Sequence, residues 1–428
     1  MTKHIHKPPV FLFLVLILIP VVATSQQITL DSCRAAALEN WPAFKKTVAL
    51  SGQRNLIDQT LNKSYLPKLN LNGQATWQSE VVTFPEVPTM PDFFPEIPKD
   101  NYNVEFGIGQ IIWDGGAIKS NKNLRYAAND IEVQKLNIET YRLMDKINRL
   151  YINYLYLKKN EAVINLSANE IKKNIKTLQS AVNNGMVLKS DLDNVLAEQL
   201  KLQKELIRLH SLQTNVITSL NLITGLKLDT SYQFMEPEPV LFSQSVRPGL
   251  RLMDAQINYA GASVSNFKTN RLPKFSAFGR AGYGRPGFDF MNTDMHGYLL
   301  VGAKFTWNIF DWNLYGRQKQ NVLLQQQIIR DNKAVLQKQI SMEEHQYLLE
   351  IDRYKKQLMI DKKIVELKQN IYKAAQSSME NGTITSTDYL KQFNEWKRAK
   401  LNTELDRLKL MAAQLNYNHA RGENYQEK

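Results

Sequence analysis

Leu66-Pro67-Lys68-Leu69-Asn70-Leu71-Asn72-Gly73-Gln74-Ala75-Thr76-Trp77 decides the architecture, because its plan returns as Leu272-Pro273-Lys274-Phe275-Ser276-Ala277-Phe278-Gly279-Arg280-Ala281-Gly282-Tyr283. In each segment a Leu-Pro-Lys breaker is followed by alternation with a period of two. Leu69, Leu71, Gly73, Ala75 and Trp77 lie on one side, and Asn70, Asn72, Gln74, Thr76 and Gln78 on the other. Phe275, Ala277, Gly279, Ala281 and Tyr283 keep the parity of the first set. Successive side chains of a strand point to opposite faces, so each segment reads as a β-strand with one apolar face. Returning strands follow: Val104, Phe106 and Ile108 alternate with Asn103, Glu105 and Gly107. In the second, Leu299, Val301, Ala303, Phe305 and Trp307 alternate with Leu300, Gly302, Lys304, Thr306 and Asn308. Alternation over about 10 residues suits a transmembrane β-strand, apolar to lipid and polar to lumen. It suits equally a soluble sandwich hairpin with one wet face.

Working outward, the whole chain is duplicated. Trp41-Pro42 and Arg247-Pro248 stand at the same offset of 206 as the breakers. Beyond the strands the offset becomes 197: Trp113-Asp114 matches Phe310-Asp311, Asn184-Gly185 matches Asn381-Gly382, and Asp191 matches Asp388. The excess of nine residues falls between Lys68 and Trp113, where Pro85, Pro88, Pro91, Pro95 and Pro98 exclude helix and central strand. A long loop over 84–98 is expected there, with a shorter one near Pro286 to Gly297. The expected plan of each copy is a shorter helical stretch (Leu30 to Lys63, Pro248 to Thr269), a breaker, two strands, and two long helices meeting at Asn-Gly.

The long helices carry heptad stripes. Ile164, Ala168, Ile171, Ile175, Leu178 and Val182 are followed after the turn by Val195, Gln199, Leu202, Leu206, Leu209, Gln213, Val216, Leu220 and Ile223. The second copy has Ile360, Ile364, Leu367, Ile371 and Ala374, then Leu401, Leu405, Leu408, Ala412 and Leu415. Such stripes mark coiled-coil packing. From Asp114 to Asn183 there is no proline and, past Gly116, no glycine. A helix over that stretch would be roughly 100 Å long, beyond what a compact domain holds.

The N-terminus reads as an export signal over 1–25: Lys3 and Lys7, an apolar run from Val10 to Val22, then Ala23-Thr24-Ser25-Gln26. The remainder divides into repeats at 26–240 and 241–428. The chain of 428 residues has a formal charge of +13, which loss of Lys3 and Lys7 lowers to +11. An exported chain makes nucleic acid an unsuitable partner for that charge. Lys355, Lys356, Lys362 and Lys363 suit a solvated helix face. The single cysteine, Cys33, provides no disulfide, so packing, repetition or oligomerisation must hold the fold. Hydrophobic residues at 43% and charged residues at 22% exclude wholesale disorder, and a mean hydropathy of −0.37 excludes a polytopic helical membrane protein.

Four strands cannot close a barrel, and an open sheet edge cannot sit in lipid. The smallest closed transmembrane barrel has about eight strands and little free lumen. Three chains would supply twelve strands and twelve long helices about one axis, so the strand number itself points to a homotrimer.

In this setting the chain resembles the TolC-type outer membrane factors, the exit ducts of Gram-negative efflux pumps and type I secretion systems. Ile28-Thr29-Leu30-Asp31-Ser32 through Ala35-Ala36-Ala37-Leu38-Glu39-Asn40-Trp41-Pro42 resembles that family's opening helix. Gln110-Ile111-Ile112-Trp113-Asp114-Gly115-Gly116 resembles its strand-to-helix junction. Trp307-Asn308-Ile309-Phe310-Asp311-Trp312 is a second copy, with Trp312-Asn313 in place of the glycines. Asn381-Gly382-Thr383-Ile384-Thr385-Ser386-Thr387-Asp388-Tyr389-Leu390 resembles the helical-tip motif. The resemblance implies a mainly α fold with a β part: a trimeric α-helical tunnel of coiled-coil hairpins on a shared 12-stranded transmembrane β-barrel, four strands per chain. It implies a cell outer membrane location extending into the periplasm, contact with outer membrane lipid, and a periplasmic adaptor (membrane fusion) protein and inner-membrane pump as partners. It implies no enzyme activity and no cofactor.

By the same resemblance Asp388 and Asp191 are the periplasmic gate candidates. Asn184, Gly185, Asn381, Gly382 and Thr385 form tips for adaptor docking, and Asn72, Gln74, Glu105, Arg280 and Lys304 are barrel-lumen candidates. The plainer reading of both aspartates is charge compensation at helix N-termini, with Thr385 and Asp388 spaced for a capping box. The sequence departs from the family pattern at Ile384, where a tip arginine would stand, and at Lys391, where a second aspartate would. Other motifs carry no chemistry. Gly282-Tyr283-Gly284-Arg285-Pro286-Gly287 matches the dinucleotide fingerprint but follows a strand into a proline-containing loop instead of opening a helix. His210, His296, His345 and His419 lack partners at metal-ligand spacing. The alternative from another class is a non-channel periplasmic coiled-coil adaptor or scaffold, which would carry one helical hairpin between other modules.

Overall fold

The computed structural model describes residues 27–83, 96–238, 246–289 and 291–423. The expected signal segment 1–25, most of the proline-rich loop 84–98 and the repeat boundary at 240/241 lie outside the described residues.

The first helical stretch is interrupted, contrary to the single run expected from Leu30 to Lys63. α1 (Leu30–Asn40) is capped by Thr29, whose hydroxyl accepts from the Ser32 N–H, and is followed by a 3-10 turn over Pro42–Phe44 before α2 (Lys45–Lys63). Pro42 is the cause, because its ring and missing N–H cannot continue the preceding helix. Strands β2 (Lys68–Trp77) and β3 (Asp100–Trp113) follow the breaker, after β1 (Gln27–Ile28) at the start of the chain. Next come α3 (Ala117–Asn183), α4 (Lys189–Thr224) and the short β4 (Gln233–Phe234), which pairs in parallel with β1. The order then recurs as α5 (Pro248–Thr269), β5 (Lys274–Arg285), β6 (His296–Thr306), α6 (Leu314–Glu380) and α7 (Ser386–Ala420). α3 and α6 both have 67 residues, which gives rods of roughly 100 Å.

Both rods begin on left-handed residues. Gly115 and Gly116 have φ of 68° and 80°, and at the matching junction Trp312 and Asn313 take φ of 51° and 59° despite their side chains. Asp114 accepts from the N–H groups of Gly116 and Ile118 at 2.8 and 2.6 Å, closing the turn onto the helix. A Cβ on Gly115 would lie 2.7 Å from the Leu272 Cβ, so the first junction packs directly against the second breaker.

The core follows the heptad stripe of the first hairpin. Ile164, Ile171 and Leu178 of α3 are buried with Val195, Leu202, Leu209 and Leu220 of α4, and α7 adds Leu408 and Leu415. Each fully buried Leu or Ile contributes about 1.5–3 kcal/mol. The corresponding α6 stripe is different. Ile360, Ile364, Leu367, Ile371 and Ala374 are all exposed within one chain, so the period that predicts a packed seam on α6 has no partner from the same chain. Among the described residues no helix is long and apolar enough to cross a membrane.

Where α7 ends, the His419 ring stacks on Tyr141 at 3.6 Å, and Arg247 lies 5.6 Å over the other aromatic's centroid. Burial, then the charges of Arg247, Arg34 and Arg149, push the imidazole down to about 3. A histidine held neutral in the folded state binds fewer protons than in the unfolded chain. Its contribution is therefore complete above about pH 6.5 and lost as pH falls from there toward 3, at about 1.4 kcal/mol per pH unit. His419→Gln should flatten the decline in melting temperature between neutral pH and pH values near 4.5. A variant with the wild-type slope would count against this assignment.

Candidate functional site

Two regions collect the residues singled out by sequence: the turns joining the long helices, and the four-stranded sheet at their other end. Both turns are built alike. Gly185 and Gly382 adopt φ of 71° and 68°. The Met186 N–H donates to the Ala181 carbonyl at 2.9 Å and Gly185 to Val182 at 3.0 Å. In the second hairpin Thr383 donates to Ser378 at 2.9 Å and Gly382 to Met379 at 3.0 Å. These are Schellman closures, which place a glycine where a side chain would be strained. Asn184 and Asn381 occupy the C-cap position of each.

The structure gives the two aspartates unlike surroundings. Asp388 is exposed at the start of α7. Its N–H donates to Thr385 Oγ1 at 3.2 Å and its carboxylate accepts from the same hydroxyl at 2.8 Å. Thr385 thus caps α7 through its hydroxyl, and the reciprocal bond of the expected capping box, from the Thr385 N–H to the Asp388 carboxylate, is not formed. Asp191, half-buried in the first turn of α4, reaches across to the other hairpin. Its Oδ1 accepts from the Ser386 N–H at 3.1 Å and from Ser386 Oγ at 2.5 Å, while Asn194 Nδ2 donates to Ser386 Oγ at 3.3 Å. Asp191 therefore caps α7, pinning one tip to the next with a negative charge at a helix N-terminus.

Behind this pin is an aromatic cluster that sequence reading did not find. Tyr372 of α6 stacks on Trp396 of α7 at 4.9 Å and lies 5.7 Å from Phe393, which is 6.2 Å from Tyr389. Tyr389 and Phe393 are fully buried. Asn174 of α3 donates to the Tyr389 hydroxyl and accepts from Gln376 of α6 at 2.9 Å. Glu198 of α4, itself buried, pairs with Lys397 of α7 at 3.2 Å. All four long helices thus meet within one tip. The spacing Tyr389, Phe393, Trp396 is a helical i, i+4, i+7 face, and it was the only available signal.

At the other end the sheet order is β2-β3-β5-β6, all antiparallel. The pairing joins the two hairpins through β3 and β5 and leaves β2 and β6 as edges. Register sorts the side chains by face. Leu69 lies opposite Ile108, Leu71 opposite Phe106, Val104 opposite Tyr283, and Phe275 opposite Phe305. The other face takes Asn72 opposite Glu105, Gln74 opposite Asn103, Gly107 opposite Arg280, and Ser276 opposite Lys304. All five lumen candidates thus share one face, and Arg280 Nε stands 3.8 Å from Glu105 Oε1. Leu71 and Val301, on the apolar face, are 71% and 73% exposed, so this face is uncovered within one chain and marks a surface that meets a partner or lipid. Trp307 falls just past the end of β6, whose last residue is Thr306.

No protein-family model matches the sequence, and no curated protein matches it. Solved structures do. The outer membrane protein VceC from Vibrio cholerae aligns over 92% of this chain and 96% of its own, at 14% identity and a TM-score of 0.70. CusC, described in terms of transmembrane channel formation, aligns over 92% of both chains at 11% identity and a TM-score of 0.74. The outer membrane channel MtrE from Neisseria gonorrhoeae, in its open state, aligns over 92% of this chain and 88% of its own, at 14% identity and a TM-score of 0.68. Long helical hairpins end to end with a small two-faced sheet, matched over nearly the whole length, give this chain the fold of the TolC-like outer membrane channels.

Proposed function

We propose that the chain is the outer membrane exit duct of a tripartite efflux pump or type I secretion system, exported by the signal segment 1–25. It acts as a homotrimer that conducts solutes passively across periplasm and outer membrane, and it catalyses no reaction. The observation that carries this reading is the sheet: one apolar and exposed face, one polar face, and two unpaired edges. Edges need partners in lipid, and β6 of one protomer beside β2 of the next closes a twelve-stranded barrel. The exposed apolar stripe of α6 is then covered by the neighbouring protomer along the tunnel wall. The repeats 26–240 and 241–428 give that wall pseudo-sixfold symmetry.

The tips, Asn184-Gly185 and Asn381-Gly382 with Thr385, are the docking surface for the periplasmic adaptor that connects to the inner-membrane pump. Asp388, exposed beside the tip, lines the entrance, and Asp191 braces it closed through Ser386. Two hairpins on a four-stranded sheet favour a duct over a non-channel adaptor. Membrane fractionation followed by planar-bilayer recording tests the reading, with outer membrane recovery and discrete conductance steps expected. Soluble, non-conducting protein would sink it. Asp388→Asn should alter open probability or reduce cation preference at the entrance, whereas unchanged single-channel behaviour would reduce Asp388 to a capping residue.

A further inference from the structure

The strand register places an uncompensated cluster of lysines on the polar face of the sheet, at the end nearest the helices. Lys68 opens β2 opposite Gly109, and Gly109 is opposite Phe278 of β5. Phe278 lies opposite Gly302, and the next two positions on this face are Ser276 opposite Lys304 and Lys274 opposite Thr306. The same parity continues outward through Asn70, Arg280 and Leu300, then Asn72, Glu105, Gly282 and Tyr298. Among the described residues the strand positions of this face carry five charged side chains: Lys68, Lys274, Lys304, Arg280 and Glu105. The one carboxylate is committed to Arg280. Of the nearby junction carboxylates, one keeps its charge and the other is paired. Asp114 accepts from two backbone N–H groups, and Asp311 faces Arg271 at 3.7 Å and the Tyr315 N–H at 3.3 Å. Lys68, Lys274 and Lys304 have no ion-pair partner among the described residues.

Glycine makes room for an aromatic ring at this level. A Cβ on Gly302 would lie 2.8 Å from the Phe278 ring, so that ring rests on the backbone of β6, and Arg280 lies 5.5 Å over the same ring. The lysines therefore border a level that Phe278 and Arg280 fill, in a wall where the cations outnumber the carboxylates.

Resting on the channel reading, we propose that Lys68, Lys274 and Lys304 form a cationic belt at the base of the barrel that selects for anionic solutes. Three protomers repeat the belt around the axis. Fixed charges act over a Debye length of about 10 Å at 0.1 M salt, enough to reach well into the lumen of a twelve-stranded barrel. The entrance at Asp388 lies at the far end of helices roughly 100 Å long, so its carboxylates do not screen the belt. The duct then has two filters of opposite sign in series, and the belt is the one that discriminates cargo at the membrane.

The test is the reversal potential of the mature protein in a planar bilayer under a KCl gradient. Wild type should prefer chloride several-fold. The triple variant Lys68→Gln, Lys274→Gln, Lys304→Gln should fall to near parity or to cation preference, and Asp388→Asn alone, which removes the anionic filter, should raise the chloride preference. At about 1 M KCl, where the Debye length is about 3 Å, the triple variant should conduct like wild type, which shows that its pore is intact. Cation preference in the wild type, or a triple variant with unchanged selectivity, would overturn the belt while leaving the channel. Absence of any conductance would overturn both.

Discussion

Phe393→Ala should loosen the helical tips by about 3–5 kcal/mol, the range for removing a fully buried phenylalanine from a core that cannot collapse around the void. Phe393 is fully buried and lies within 6.2 Å of Tyr372, Tyr389 and Trp396, so its loss removes the centre of the cluster that ties α7 to α6. The effect should remain local. The same hydrophobic core continues away from the tip through Leu202 and Leu209 to Tyr151 and Tyr154 against Phe234, and these side chains keep their own packing when Phe393 is truncated. Hydrogen exchange should therefore accelerate around Tyr372 to Trp396 while the middle of α3 stays protected. In the channel reading the same variant should open more often, because the tips are then held only by the Asp191–Ser386 pin and the polar links Asn174–Gln376 and Glu198–Lys397. Phe393→Leu, which keeps most of the volume, should cost less than about 1.5 kcal/mol. Exchange at the tips indistinguishable from wild type in Phe393→Ala would remove the cluster from any role in closure.

Leu71→Arg and Asn72→Arg, one residue apart, should behave in opposite ways. Leu71 sits in the middle of β2 on the apolar face, opposite Phe106, while Asn72 faces the other way, opposite Glu105. An arginine on the lipid face of a barrel costs about 2–4 kcal/mol near the midplane and almost nothing in an aqueous lumen. Three protomers multiply the lipid-face cost. Leu71→Arg should therefore block assembly in the outer membrane and leave the chain accessible to periplasmic protease. Asn72→Arg should assemble normally, because its side chain stays on the aqueous face. Equal assembly of both variants would mean that neither face meets lipid.

The departures from sequence expectation share one cause. Alternation along β2 and β5, the Asn-Gly turns and the lengths of α3 and α6 are local: each depends on residues within a few positions, and each appears where the chain predicts it, whereas Pro42 splits the first helical stretch into α1 and α2. Trp312 and Asn313 are a local exception with a structural explanation. They occupy the left-handed conformations that Gly115 and Gly116 supply in the first copy, although an L side chain costs about 1–2 kcal/mol there. The tertiary context of the second junction overrides that preference.

What the sequence alone determined is the set of surfaces: which strand faces are apolar, how long the helices run, where they turn, and that four strands and an α6 stripe are left in need of partners. Which surface meets which is settled only by folding. That Asp191 caps α7 and not its own helix, that Tyr389 and Phe393 bury against Tyr372, and that Lys68, Lys274 and Lys304 come to one end of one face all depend on register between segments far apart in sequence. Periodicity specifies a face and carries no information about the offset between two faces. That offset is set by side-chain packing and by the pairing of β3 with β5, which exist only once the chain has folded.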